Sequence, residues 1–145
     1  MQSIAAIIPC SDVNASEHFY RRLGFLRRGE DATDEAAGND AYRILHDADG
    51  ASLHLRLAEP GWLVPRKNPL ALFYRRENVD EMAAEFVGEI VGSLWPEDKP
   101  WGMYEFAISD PDATLIRIGW PTRLREYVTI NAKGGPRSRR MTCAS

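Results

Sequence analysis

The sequence is poor in cysteine and histidine, with two of the first and three of the second among 145 residues. Cys10 and Cys143 lie near opposite ends with no C-x-x-C spacing, so neither a disulfide framework nor a structural zinc site is indicated. Cys10 reads as a small residue at a strand end, with redox sensing as the weaker alternative. No run of about 18 apolar residues occurs, which argues against a membrane-spanning helix. Met1 to Pro9 lacks the basic region and cleavage pattern of a secretory signal, so a soluble, cytoplasmic protein is expected, with no membrane partner.

Excess positive charge is missing from most of the chain. The net charge is −3, but residues 133–145 hold Lys133, Arg137, Arg139 and Arg140 and no acid, and removing these four cations takes it to −7. An acidic body argues against nucleic acid as a partner and suits a cationic ligand, although solubility alone explains such a charge equally well. With Gly134, Gly135 and Pro136, residues 133–145 read as a flexible basic tail after a single domain over 1–132. What is present suffices for a core. Hydrophobic residues make up 44% and aromatics 10%, which excludes disorder as the default.

Ile4 to Ile8 is an apolar run ending at Pro9, followed by Ser11 and Asp12, either of which can cap a helix. Ala15, Phe19 and Leu23 share one face of a helix over 13–23, and Gly24 suits the left-handed residue that ends it. After Phe25 and a polar loop over 30–39, Tyr42 to Leu45 and Leu53 to Leu57 read as a hairpin across Asp47, Asp49 and Gly50. Leu53, Leu55 and Leu57 point to one face; Ser52, His54 and Arg56 point to the other. Residues 59–68, with Pro60, Gly61 and Pro65, read as a connector.

The pattern then recurs. Leu70 to Tyr74 is a strand, Asn78 with Glu81 has capping-box spacing, Met82 and Phe86 share a helical face, and Gly88 closes the helix. Ile90 and Val91 follow as strand, 96–100 as loop, Met103 to Ile108 as strand, Asp110-Pro111-Asp112-Ala113 as turn, and Leu115 to Ile118 as the last strand. Gly24 and Gly88 lie 64 residues apart, and Gly50 and Ala113 lie 63 apart. A duplication explains this order: an α+β fold of two tandem βαβββ modules, at about 1–58 and 69–121. Their mixed sheets would curve around a ligand cleft with the helices on the outer face. Phe106, Ile108, Ile116 and Ile118 would then face the helices, and Glu105, Ala107, Leu115 and Arg117 the cleft.

These residues resemble the glyoxalase, bleomycin resistance and extradiol dioxygenase superfamily, the vicinal oxygen chelate proteins, over about residues 4–121. Ile8-Pro9 through Asp12, Phe19-Tyr20 and Leu23-Gly24-Phe25 carry the likeness in the first half. Pro100-Trp101-Gly102, Glu105-Phe106 and Asp110-Pro111-Asp112 carry it in the second, with the bleomycin resistance branch as the nearer match. Metal-using members place His and Glu ligands on the first and last strands of each half. Here those positions fall near Ala5, at His54, at Pro69 or Leu70, and at Arg117. Two offer no side-chain lone pair and a guanidinium repels a cation, so no metal, no cofactor and no family-type catalysis are expected.

The resemblance implies a non-catalytic binding protein that sequesters a bleomycin-like or other cationic aromatic compound at a homodimer interface. In such proteins the Trp-Gly matching Trp101-Gly102 lines the groove and stacks on the drug's bithiazole. Packing of Trp101 against a dimer partner is the alternative. Met103, His54, Glu105, Arg117, Tyr42 and Trp62 complete the expected ligand-binding set. His54 either contacts ligand or makes a structural hydrogen bond, and histidine is the residue type that changes charge near neutral pH. Arg117 either takes an anionic group or, preferably, pairs with Glu105. Phe73 and Tyr104 are further aromatics with core or dimer packing as their default. His18 and the Arg21, Arg22, Arg27, Arg28 cluster read as solvated surface. No Ser, His and Asp set stands out, so no catalytic residue is assigned. A superfamily enzyme, an isomerase, lyase or dioxygenase on another small substrate, is the competing reading.

Overall fold

The computed structural model describes residues 2–29 and 41–125. The expected polar loop at 30–39, the basic tail with Cys143, and the domain end at 132 lie outside the described residues. Along the chain come β1 (Ala6–Cys10), α1 (Val13–Arg22), β2 (Tyr42–His46), β3 (Ser52–Leu57), β4 (Ala71–Arg75), α2 (Val79–Glu85), β5 (Glu97–Asp98), β6 (Met103–Ser109) and β7 (Leu115–Pro121). They form two sheets ordered β1-β3-β2 and β4-β7-β6-β5, which bears out the α+β class. Two compact units share the chain: Met1–Leu70 with Ser109–Leu115, and Ala71–Ile108 with Ile116–Ser145. No helix among the described residues is long and apolar enough to cross a membrane.

In the first unit β3 pairs in parallel with β1 and antiparallel with β2. The register places Ile8, Cys10, Arg43, Leu45, Leu53 and Leu55 on one face, all buried. Leu57, expected on that face, is 42% exposed because it ends the strand. Asp12, rather than Ser11, caps α1: its Oδ1 accepts from the backbone N–H groups of Asn14 and Ala15 at 2.9 and 3.1 Å. The buried face of α1 carries Val13, Ser16, Glu17, Phe19 and Tyr20, and Ala15, expected to be buried, is exposed. Glu17 is tolerated inside because Arg27 Nε stands at 2.6 Å and Arg43 Nε at 3.4 Å. Arg27 is therefore a partner of a buried carboxylate and not simply solvated surface. Gly24, at φ +96°, ends the helix with Gly24 N–H on Arg21 C=O and Phe25 N–H on Tyr20 C=O, a Schellman arrangement.

The second half departs from its expected copy at three points. Asn78 makes no side-chain cap on α2; its amide instead meets Glu81 at 3.5 Å and Arg76 Nε at 3.3 Å. Gly88 has φ +85° but stands beyond the Phe86 cap, so it bends the chain after the helix and does not close it. Ile90 and Val91 form no strand; Val91 donates one bond to Ala107 C=O at 2.8 Å. In the first half the matching segment is likewise reduced to a bridge between Leu26 and His46. The expected loop at 96–100 contains β5, antiparallel to β6. Phe106, Ile108, Ile116 and Ile118 are buried as expected. Tyr104 is buried too, its hydroxyl donating to Asp80 at the start of α2, and burial first, then that carboxylate, pushes its pKa up to about 12.

The duplication is most exact in two turns. Asp47 Oδ1 accepts from the N–H groups of Asp49 and Ala51 at 2.9 and 2.7 Å. Asp110 Oδ1 accepts from Asp112 and Thr114, both at 2.9 Å. Gly50 and Ala113 fill the same left-handed position, at φ +98° and +66°. An L-residue there costs roughly 1–2 kcal/mol, so Ala113→Gly should stabilise the fold by about 1 kcal/mol in thermal unfolding. An unchanged or lowered midpoint would contradict this.

The second of these turns belongs to the first unit. Tyr20 Oη donates to Asp110 Oδ2 at 2.7 Å in the interior, Ser11 N–H donates to Asp112 at 3.0 Å, and Asn68 holds Asp112 C=O and Thr114 Oγ1 at 3.0 and 2.9 Å. Burial is the largest influence on Asp110 and raises its pKa; the Tyr20 hydrogen bond opposes it. Tyr20 is raised for the same first reason. Cys10, fully buried beside this cluster, is pushed up to about 11 by burial. A covered thiol whose pKa is raised by burial fits the structural, strand-end reading of Cys10.

Candidate functional site

Local chain chemistry puts Trp101 at the tip of the β5–β6 hairpin. Lys99 C=O accepts from Gly102 N–H at 3.0 Å, and Lys99 N–H donates to Met103 C=O at 2.7 Å. Pro100 and Trp101 thus occupy the two central places of a β-turn, and Gly102 follows at φ +84°. Proline presets the first place and glycine alone accepts the last without strain, so the Pro-Trp-Gly order builds this tip. Thr122 N–H ties it to the chain after β7 through Gly102 C=O, at 2.9 Å.

Trp101 is 58% exposed, yet it is not loose. Its indole N–H donates to Glu105 Oε1. Glu105 is only 3% exposed, and its Oε2 lies 4.0 Å from Arg117 Nη1. Arg117 in turn places its guanidinium 5.9 Å from the Trp101 ring centroid. The internal Glu105–Arg117 pair expected from strand parity is present, and the same carboxylate fixes the indole by its edge. A flat apolar surface is thereby held in one orientation. Met103, half-buried, begins the strand carrying Glu105.

Gly119, which the sequence reading passed over, makes this arrangement fit. A Cβ there would stand 2.8 Å from Glu105 Cβ, 3.1 Å from Tyr104 C=O and 3.2 Å from Phe73 Cζ. Glycine on β7 thus lets Glu105 and Phe73 lie over its backbone, and Phe73 remains half exposed on the same sheet face as Trp101. Gly119→Ala should cost about 1–3 kcal/mol by overpacking, read as a lowered unfolding midpoint, and should loosen Trp101 through Glu105. A midpoint equal to that of the parent would contradict the close packing.

The remaining expected residues belong to the first unit. Tyr42 and His54 lie on the face of the first sheet opposite the core, with Tyr42 Oη 2.6 Å from His54 Nδ1 and the rings edge to face at 5.5 Å. Ile7 and Ile44 flank His54 on the neighbouring strands. Trp62 is half exposed on the connector, with the Arg56 guanidinium 4.6 Å over its ring, so one of its two faces is taken. The structure brings Trp101, Gly102, Met103, Glu105 and Arg117 together, and Tyr42 and His54 together. Trp62 belongs to neither group.

The metal positions of the superfamily do not fit a metal here. Near Ala5, and at Pro69 or Leu70, no side chain offers a donor, His54 is engaged at Nδ1, and Arg117 brings a positive charge beside Glu105. Among the described residues no three His, Cys, Asp or Glu side chains are grouped to hold an ion, and three protein ligands are what a catalytic metal needs.

No protein-family model matches the chain, and no curated protein sequence matches it. Solved structures do. A bleomycin-binding protein complexed with bleomycin is 25% identical, with a TM-score of 0.64 over 83% of this chain and 98% of its own. The bleomycin resistance determinant encoded on the transposon Tn5 gives the same figures. A possible glyoxalase from Bacillus cereus, 18% identical with a TM-score of 0.57 over 82% of this chain and 98% of its own, shares the fold.

Proposed function

The chain has the fold of the vicinal oxygen chelate superfamily and resembles its bleomycin resistance members, and from this premise we propose that it is a non-catalytic, metal-free binding protein. It sequesters a bleomycin-like or other cationic aromatic compound, acting in the cytoplasm as a homodimer. The observation that carries this reading is Trp101: a large aromatic face, 58% exposed and locked at its edge by Glu105. An exposed tryptophan with a fixed ring is a stacking surface that loses little conformational freedom on binding. The net charge of −7 without the basic tail favours a cationic ligand over an anionic one. Phe73 and Leu94, like Trp101, are large apolar residues of the second unit left at least half exposed, and exposed apolar side chains of this kind are what a second chain would cover.

Calorimetric titration with metal-free bleomycin, with sedimentation equilibrium on the same sample, tests the reading. Saturable binding at one drug per chain and a two-chain mass are expected. No heat at high micromolar drug sinks the antibiotic assignment, and a monomer sinks the shared site. Elemental analysis should find no stoichiometric metal; an ion bound through His54 would overturn the metal-free part.

A further inference from the structure

We propose that His54 is the hydrogen-bond donor of a second ligand subsite, on the open face of the first sheet, and that this subsite takes a carbonyl or carboxylate oxygen carried on an apolar fragment. The juxtaposition that carries this is Tyr42 Oη at 2.6 Å from His54 Nδ1, with Ile7 and Ile44 on either side. A phenol O–H donates well and an unprotonated imidazole nitrogen accepts well, so we take the short contact as O–H to Nδ1. In neutral histidine the ring proton then sits on Nε2. Tyr42 is a positioning residue: it fixes both the tautomer and the ring plane.

No hydrogen bond joins Nε2 to any of the described residues. His54 is half-buried and Ile7 is 56% exposed, so this donor opens onto a surface that is partly apolar and partly accessible. A fixed N–H between two isoleucines discriminates by sign of polarity. It rewards an acceptor and penalises a donor, which would leave two hydrogens facing each other. Arg56, two residues along the same face of β3, is paired with Glu59 at 3.7 Å, so selectivity against a cationic fragment rests on the His54 N–H itself. The subsite does not depend on what occupies Trp101, and it stands if bleomycin fails to bind.

Benzoate, benzamide and benzylamine are suitable probes, titrated against the full chain by NMR under mildly alkaline conditions. Benzoate and benzamide should shift the His54 ring nitrogens and the Ile7 and Ile44 methyls saturably in the millimolar range, as befits fragments of this size. Benzylamine should not. His54→Leu should weaken benzoate about tenfold, and His54→Gln, which retains an N–H donor, should keep most of the affinity. Tyr42→Phe should weaken it several-fold and let the ring-nitrogen signals of His54 report both tautomers. Absence of saturable shifts from either acceptor probe, equal binding of benzylamine, or unchanged benzoate affinity in His54→Leu each overturns the assignment.

Discussion

Trp101→Ala is expected to weaken drug binding by about 30-fold or more, the loss of about 2 kcal/mol typical of a buried aromatic anchor. Stability should hardly change, since the side chain is 58% exposed in the free chain. Trp62→Ala should have a smaller effect, because Arg56 sits 4.6 Å over that ring whereas Arg117 stands farther from the Trp101 ring, at 5.9 Å. Glu105→Gln separates holding from stacking. Its amide oxygen still accepts from the indole, but the charge facing Arg117 is gone, so affinity should fall by less than in Trp101→Ala. Calorimetry on the four proteins reads all of this. Equal affinities for the parent and Trp101→Ala would remove the indole from the site.

The largest expected loss of stability is at Asp110. Asp110→Ala strips an acceptor from the buried Tyr20 hydroxyl and from the turn amides of Asp112 and Thr114, at a cost of about 3 kcal/mol. Asp110→Asn keeps an oxygen for the turn amides and presents N–H to the Tyr20 oxygen, so it should cost less. The two differ from the parent in pH dependence as well. Burial raises the Asp110 pKa above its ordinary 3.8, so the folded chain holds this proton more tightly than the unfolded one. That contribution is complete below the ordinary aspartate value and is lost as pH rises through the raised one. Relative to Asp110→Asn, the parent should gain stability on acidification across that window, measured by urea unfolding at several pH values. A difference that stays constant with pH would contradict the buried, raised carboxyl.

Much of this fold was legible because its signals are local. The left-handed glycines, the Asp-containing turns and the alternation of Phe106, Ile108, Ile116 and Ile118 each follow from a few neighbouring residues. Trp101 was legible as a loop residue beside Gly102, but the hairpin that carries it was not, since β5 falls in a stretch that reads as loop. What was not legible depends on distant partners. Glu17 in the buried face of α1 requires Arg27 and Arg43, and α1 periodicity alone pointed to Ala15 instead. Gly119 carries no motif; its role appears only when β7 brings it beneath Glu105 and Phe73. Val91 has strand propensity but makes one ladder bond, because propensity does not supply a partner. Tyr42 and His54 were each chosen as candidates for their chemistry, but that one fixes the other follows only from the β2–β3 register.

The central claim is that the edge-locked indole of Trp101 is the ligand platform, and a crystal structure of the protein grown with bleomycin tests it most directly. The account predicts a planar part of the drug stacked on the free face of Trp101, with the indole N–H still on Glu105. Drug density elsewhere, with the Trp101 face left to solvent or packed against another chain, would contradict it.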